Sequence, residues 1–184
     1  MASPDRVADE WLVLAAQDGR AEARDRLVDR WHARLWRHAR NVTGNAEAAR
    51  DVTQEAWVGI LKRLHRLDDP AAFPAWAYRI VNHKSVDWIR KESRNRKRSA
   101  PLPDDLAAAN ESAAAEETRD RVQQVLAALQ QLPVEQRALL SMHYLDDLST
   151  IEIAAALNIP RGTVKSRMHT ARQNLKPFLE GVQS

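Results

Sequence analysis

Lys165, Ser166, His169, Arg172 and Gln173 lie within the segment "IPRGTVKSRMHTARQNLK", residues 159–176. They bring positive charge and several kinds of hydrogen-bonding group to one place. Val164, Met168, Ala171 and Leu175 recur at intervals of four, three and four, which marks the buried stripe of a helix and leaves the polar set on its outer face. A helix with that outer face suits the major groove of DNA. There Lys or Arg donate to guanine O6 and N7, and Gln, Ser or His reach other base edges. Arg161 begins the helix and Arg167 lies on its flank; Arg161 and Arg172 suit the phosphate backbone, which positions a protein without reading sequence. Thr163 and Thr170 complete the candidate DNA-binding set. An αα-hairpin with a solvated basic face fits the same periodicity, so both readings stand at this point.

The helix needs a partner to present it. Ser149 with Glu152 three residues on is a capping-box signature, so a helix begins at Thr150 and runs through Ile151, Ile153, Ala154 and Leu157. Asn158, Pro160 and Gly162 stop it. Two short helices joined by a tight turn, the second carrying bases outward, make a helix-turn-helix. In such motifs the first turns of the second helix enter the groove, and here these carry Lys165, Ser166 and His169.

Composition narrows the classes. The chain has 184 residues, 28 Lys and Arg against 25 Asp and Glu, a formal charge of +3 and no cysteine. It has enough apolar content for one modest core or two small ones. The lack of cysteine removes disulfides, thiol catalysis and thiolate zinc sites together. Six scattered histidines, with no His-x-x-x-His motif, imply no metal. No glycine-rich phosphate loop or nucleophile elbow appears, so the reading is a protein without cofactor that is not an enzyme. No apolar run approaches the roughly 18–20 residues of a membrane span, and the charged amino end is unlike a secretory signal, which predicts a cytoplasmic protein without membrane insertion.

Ala, Leu, Arg and Glu dominate, no alternating β-branched run appears, and the fold class predicted is all-α. Helices are expected at about 5–17, 21–42, 46–66, 73–97, 118–131, 134–145, 150–157 and 161–175. The segment "SAPLPDDLAAANESAAAEE", residues 99–117, carries Asp104, Asp105, Glu111, Glu116 and Glu117 and no base. That composition marks an acidic linker, with alanines that can order part of it. It divides the chain into two small helical domains, 1–98 and 118–184.

The first domain carries a second signal. In "DVTQEAWVGILKRLHRL" the positions Val52, Ala56, Trp57, Ile60, Leu61 and Leu64 form an apolar face, with Asp51, Glu55 and Lys62 opposite and Gln54 beside them. "DVTQEAW" followed by "AAFPAWAYRIVNHKSVDWIRK" resembles region 2 of bacterial sigma factors of the extracytoplasmic-function group, within the sigma-70 family. "LPVEQRALLSMHYLDDLSTIEIAAALNIPRGTVKSRMHTARQNL" resembles their region 4.

The resemblance implies a sigma factor that directs RNA polymerase core enzyme to promoters. Asp51, Gln54 and Glu55 then correspond to residues that dock on the β′ clamp helices, and region 4 to the part that meets the β flap and reads the −35 element. The loop "HRLDDPAAF", with Arg66, Asp68 and Asp69, corresponds to the loop that accepts a base flipped from the −10 strand. Arg79, Asn82, His83, Lys84 and Arg90 continue that surface along the next helix. Trp76, Ile80 and Trp88, at apolar helical spacing, read as core. The basic run "RKESRNRKRS" sets Arg90, Lys91, Arg94, Arg96, Lys97 and Arg98 against the single Glu92 and suits phosphates near the −10 element. The acidic linker would thread basic channels of the polymerase, or serve only as a flexible tether. Family members are commonly held by an anti-sigma factor, which makes such a protein a candidate partner.

Three positions depart from the family pattern. Arg50 stands where an acid often precedes Asp51. Asp68, Asp69 and Pro70 replace a basic-glycine pair, so the preferred −10 base does not transfer. Thr170 stands where arginine is frequent in the recognition helix. Two other readings remain: a helix-turn-helix regulator that acts without polymerase, and a sigma-like protein that sequesters a partner.

Overall fold

The structure is a computed structural model and describes residues 4–96 and 113–180. Eight α-helices form it: α1 Pro4–Gln17, α2 Ala21–Thr43, α3 Ala46–Arg63, α4 Phe73–Arg96, α5 Ala113–Gln130, α6 Val134–Tyr144, α7 Thr150–Leu157 and α8 Arg161–Glu180. Among the described residues there is no strand, so the all-α expectation holds.

The amphipathic period of α2 explains why it organises the first unit. Leu27, Trp31, Leu35, His38, Ala39 and Val42 are buried along one face, and α1, α3 and α4 pack around it. Gly44 ends the helix at φ 74°, and its N–H donates to the Arg40 carbonyl. Glycine takes that left-handed conformation without the Cβ clash other residues meet. Asn45 then starts α3, its side chain accepting from the Ala48 N–H at 2.8 Å. Helix α1 is tied on through Asp9, a buried carboxylate that accepts from Trp31 Nε1 at 3.0 Å and from the Arg30 guanidinium.

Several boundaries differ from the sequence expectation. Helix α3 tightens into a 3₁₀ turn at Leu64–Arg66, and a second such turn, Pro70–Ala72, leads into α4. Helix α5 starts at Ala113, so residues 113–117 of the expected linker are helical; the high helix propensity of alanine accounts for this. Residues 97–112, which hold Lys97 and Arg98 of the basic run and Asp104, Asp105 and Glu111 of the expected linker, lie outside the described residues. Helix α8 runs on through Pro177 to Glu180, although proline removes one N–H from the helix ladder. Leu61, expected on the apolar face of α3, is 38% exposed. Ile60 fills the core instead, because the helix meets its neighbours over a narrower arc than the apolar residues occupy.

The second unit does not stand apart. Helix α6 packs on α2 and α7 packs on α4. One apolar cluster runs from Leu27, Trp31 and Val81 through Leu139, Met142 and Ile153 to Val164 and Met168. A smaller cluster of Leu129, Leu132, Leu140 and Ala171 closes α5 over α6 and α8.

Candidate nucleic-acid interface

Local chemistry builds the helix-turn-helix as its sequence predicts. The Ser149 hydroxyl accepts from the Glu152 N–H at 3.3 Å, and the Glu152 carboxylate accepts from the Ser149 N–H at 2.8 Å. This capping box satisfies two donors that the start of α7 would leave unpaired. Asn158 closes α7 at φ 53°, a left-handed position its short polar side chain tolerates. The Pro160 carbonyl then accepts from the Val164 N–H at 3.1 Å.

In α8, Val164, Met168 and Ala171 are buried and Leu175 is half-buried. That stripe fixes the rotation of the helix. Arg161, Lys165, Ser166, Arg167, His169, Thr170 and Arg172 are exposed in consequence, while Thr163 is half-buried. The structure thus turns Arg161, Lys165, His169 and Arg172 to one outer side, while Ser166, Arg167 and Thr170 border a groove shared with Pro133 and with Glu135 and Gln136 of α6. The Arg161 Nε–H donates to Thr150 Oγ1 at 3.2 Å, tying the two helices at their starts. Ser166 donates to the Thr163 carbonyl and Thr170 to the Ser166 carbonyl, at 3.1 and 3.3 Å. Both hydroxyls keep acceptor capacity for a ligand. The sequence reading missed Tyr144: the Arg172 guanidinium lies 5.7 Å from its ring centroid, close enough for a cation–π contact that orients the arginine.

The second candidate surface lies on α3 and α4. Asp51, Gln54 and Glu55 are exposed along one edge of α3, beside the exposed Val58. Burial of Val52, Ala56, Trp57 and Ile60 turns them outward. Preceding α4, Gln17 of α1 donates to the Leu64 and Leu67 carbonyls at 2.9 and 2.8 Å, which pins the start of the loop. Asp69 accepts from the Ala71 N–H at 3.0 Å and so caps the turn, whereas Arg66 and Asp68 are exposed.

Along α4 the predicted residues divide. Arg79 is exposed, and exposed His83 lies 3.0 Å from Asp87. Lys84 donates to Glu55 at 2.8 Å, and Arg90 donates to Glu135 of α6 at 3.3 Å. Asn82 turns inward enough for its Oδ1 to be buried with no partner. Trp76, Ile80 and Trp88 are half-buried against the core, as their spacing predicts.

Among the described residues no cluster of His, Cys, Asp and Glu is placed to hold a metal, and no helix is long and apolar enough to cross a membrane. A cavity of about 380 Å³ lies at the junction of the two units, between Trp31, Arg34, Tyr78 and Asp146, away from both outer faces.

Comparison with known proteins agrees with this layout. Residues 27–95 match the model of sigma-70 region 2 and residues 122–175 match that of sigma-70 region 4. The ECF RNA polymerase sigma factor SigM of Mycobacterium tuberculosis is 34% identical over 172 residues, covering 94% of this chain and 85% of SigM. The chain belongs to the extracytoplasmic-function sigma factors. SigE of Mycolicibacterium smegmatis, another such sigma factor, is 32% identical over 157 residues; the match covers 84% of this chain but only 61% of SigE. The structure of CnrH in complex with the cytosolic domain of CnrY superposes with a TM-score of 0.71 at 26% identity, covering 95% of this chain and 98% of CnrH. Members of this family are transcription initiation factors, not enzymes.

Proposed function

We propose that this sigma factor brings RNA polymerase core enzyme to promoters by reading the −35 duplex with α8 and capturing the opened −10 strand with α4 and the loop before it. The observation that carries this reading is the rotation of α8. Its buried Val164, Met168 and Ala171 leave Lys165, His169 and Arg172 outward on one face. In this reading Asp51, Gln54 and Glu55 meet the β′ clamp helices, and the second unit meets the β flap. Arg66, Asp68, Arg79, His83 and Lys84 border the −10 strand, where a captured base must offset an unstacking cost of a few kcal/mol. Asp69 shapes the loop there. An anti-sigma factor is a candidate regulator, by analogy with the family.

Tethering two modest contacts on one scaffold yields avidity that neither has alone. The free protein should therefore bind promoter duplex weakly, and −10 opening should appear only with core enzyme. A fluorescent base analogue in the −10 strand reports opening directly, and co-purification with core enzyme reports docking. Nanomolar duplex binding by the isolated protein, with neither affinity nor fluorescence changed by core enzyme, would favour a regulator that acts alone.

A further inference from the structure

The polar groups that fasten the packed helices are matched. His38 Nδ1 of α2 lies 2.7 Å from Asp146 Oδ2 in the loop after α6, with both side chains buried. On α1, Asp5 and Asp9 accept from the Arg30 guanidinium, and Arg6 donates to Glu152 at 2.6 Å. The outer side of α1 is not matched. Val7, Trp11 and Leu14 are 56%, 53% and 52% exposed, at intervals of four and three that place them on one face of the helix. Leu12, Val13, Ala15 and Ala16 fill the core side without them.

A single apolar side chain on a surface needs no explanation, whereas three large ones along one face mark a place where another molecule sits. Tryptophan at the centre strengthens this, because it is enriched among the residues that anchor interfaces. The stripe from Val7 to Leu14 rises about 10 Å along the helix axis and is one side chain wide. That is the footprint of a helix lying alongside, with its own apolar residues at the spacing of a coiled-coil seam. Glu10 lies at the edge of the stripe, between Val7 and Leu14, and Asp18 follows four residues after Leu14. Neither forms an ion pair among the described residues, and Arg6, the one base of α1, is held by Glu152.

These acids choose among occupants. A second copy would set carboxylate against carboxylate, and roughly 300 Å² of apolar surface per copy falls well below the roughly 800 Å² per partner of a stable pair. An anionic lipid surface would repel the same acids. A helix with apolar residues at that spacing and Lys or Arg beside them answers both the stripe and its charge. Helix α2 packs on both α1 and α3, which do not pack on each other, so an occupant of α1 leaves the Asp51, Gln54 and Glu55 edge of α3 free.

We infer that the outer face of α1 is a docking site for a basic amphipathic helix of an accessory protein, open to that helix while α3 faces polymerase. The docking stands apart from the sigma-factor reading above; only simultaneous occupancy rests on it.

The test uses the full chain and a labelled two-heptad peptide with Leu at a and d and Lys at e and g, stapled so that it is helical when free. By fluorescence anisotropy it should bind ten-fold or more tighter than the same peptide with Glu at e and g. Trp11→Ser with Leu14→Ser should weaken the Lys peptide ten-fold or more with circular dichroism unchanged, since both side chains are more than half exposed. Glu10→Gln with Asp18→Asn should erase the preference between the two peptides. Equal binding of both peptides by wild type, or a folded Trp11→Ser, Leu14→Ser variant that binds as wild type does, overturns the docking site. So does a wild-type dimer in sedimentation, or binding to phosphatidylglycerol vesicles, that the same variant loses: the first would assign the face to a second copy and the other to a membrane. Saturating core enzyme should leave peptide affinity within about two-fold, and displacement of the peptide overturns simultaneous occupancy. If core enzyme does not bind the wild type at all, the sigma-factor reading fails and the peptide result stands.

Discussion

Lys84 Nζ lies 2.8 Å from Glu55 Oε2, joining the helix proposed to hold the −10 strand to the helix proposed to meet polymerase. Each side chain thus has two suitors. Both are partly or largely exposed, and ion pairs in such settings contribute about 0–1 kcal/mol. Their pairing leaves each available to a stronger partner. Replacing Glu55 with Gln should weaken core-enzyme binding while improving single-stranded DNA binding by the free protein about two-fold, because Lys84 is released. Fluorescence anisotropy measures both, and a loss in both would show that Glu55 serves only to position Lys84.

Asp51→Ala with Glu55→Ala should weaken binding to core enzyme and leave the fold intact. Both carboxylates are exposed, so their removal opens no cavity and changes stability by about 0.5 kcal/mol or less per site. Core affinity and circular dichroism, read on the same preparation, separate the two effects. Unchanged affinity would remove this face from the interface.

On α8, Lys165→Ala and His169→Ala should each cost about 1–3 kcal/mol on the preferred −35 sequence and flatten discrimination between sequences. Arg172→Ala should weaken all sequences alike and lower the salt slope by about one unit. Since Arg172 stacks on Tyr144, Tyr144→Ala should produce a smaller loss of the same uniform kind. Equal losses on every sequence for Lys165→Ala and His169→Ala would show that α8 positions without reading.

Gly44→Ala should destabilise the protein through two separate effects. At φ 74° a Cβ costs about 1–2 kcal/mol in left-handed backbone, and the added atom would stand 2.6 Å from Gln130 Oε1. Adding Gln130→Ala relieves only the second. The double variant should therefore melt above the sum of the single losses, in a thermal unfolding series.

Tyr78 is buried beside His38 and near Asp146. Burial first, and the Asp146 charge second, push its pKa well above the ordinary value of 10. The unfolded chain ionises near pH 10 while the folded one holds its proton, so this contribution to stability is full below about pH 10 and is lost as pH rises beyond it. The melting temperature should fall above pH 10, and Tyr78→Phe should flatten that fall. An identical alkaline decline in Tyr78→Phe would assign it to other groups.

Much of this protein was legible in its sequence because the deciding signals are local. Ser149 and Glu152 sit one helical turn apart, so the capping box of α7 can be read from four residues. The stripe Val164, Met168, Ala171 sets the rotation of α8 without reference to any partner, and the stripe Val52, Ala56, Ile60 does the same for Asp51, Gln54 and Glu55 on α3. Where the reading slipped, the cause was a neighbour. Leu61 has the right spacing for the core yet lies outside the arc that α2 and α4 cover. The junction was invisible for the same reason in stronger form. His38 and Asp146 are separated by 108 positions, and no periodicity links them. A histidine within the apolar stripe of α2 and an acid in a turn carry no mark of each other. Burial of both together, the seating of Gln130 against Gly44 and the pairing of Lys84 with Glu55 exist only once the helices have packed, because such contacts depend on distances through space that the order of residues does not encode locally.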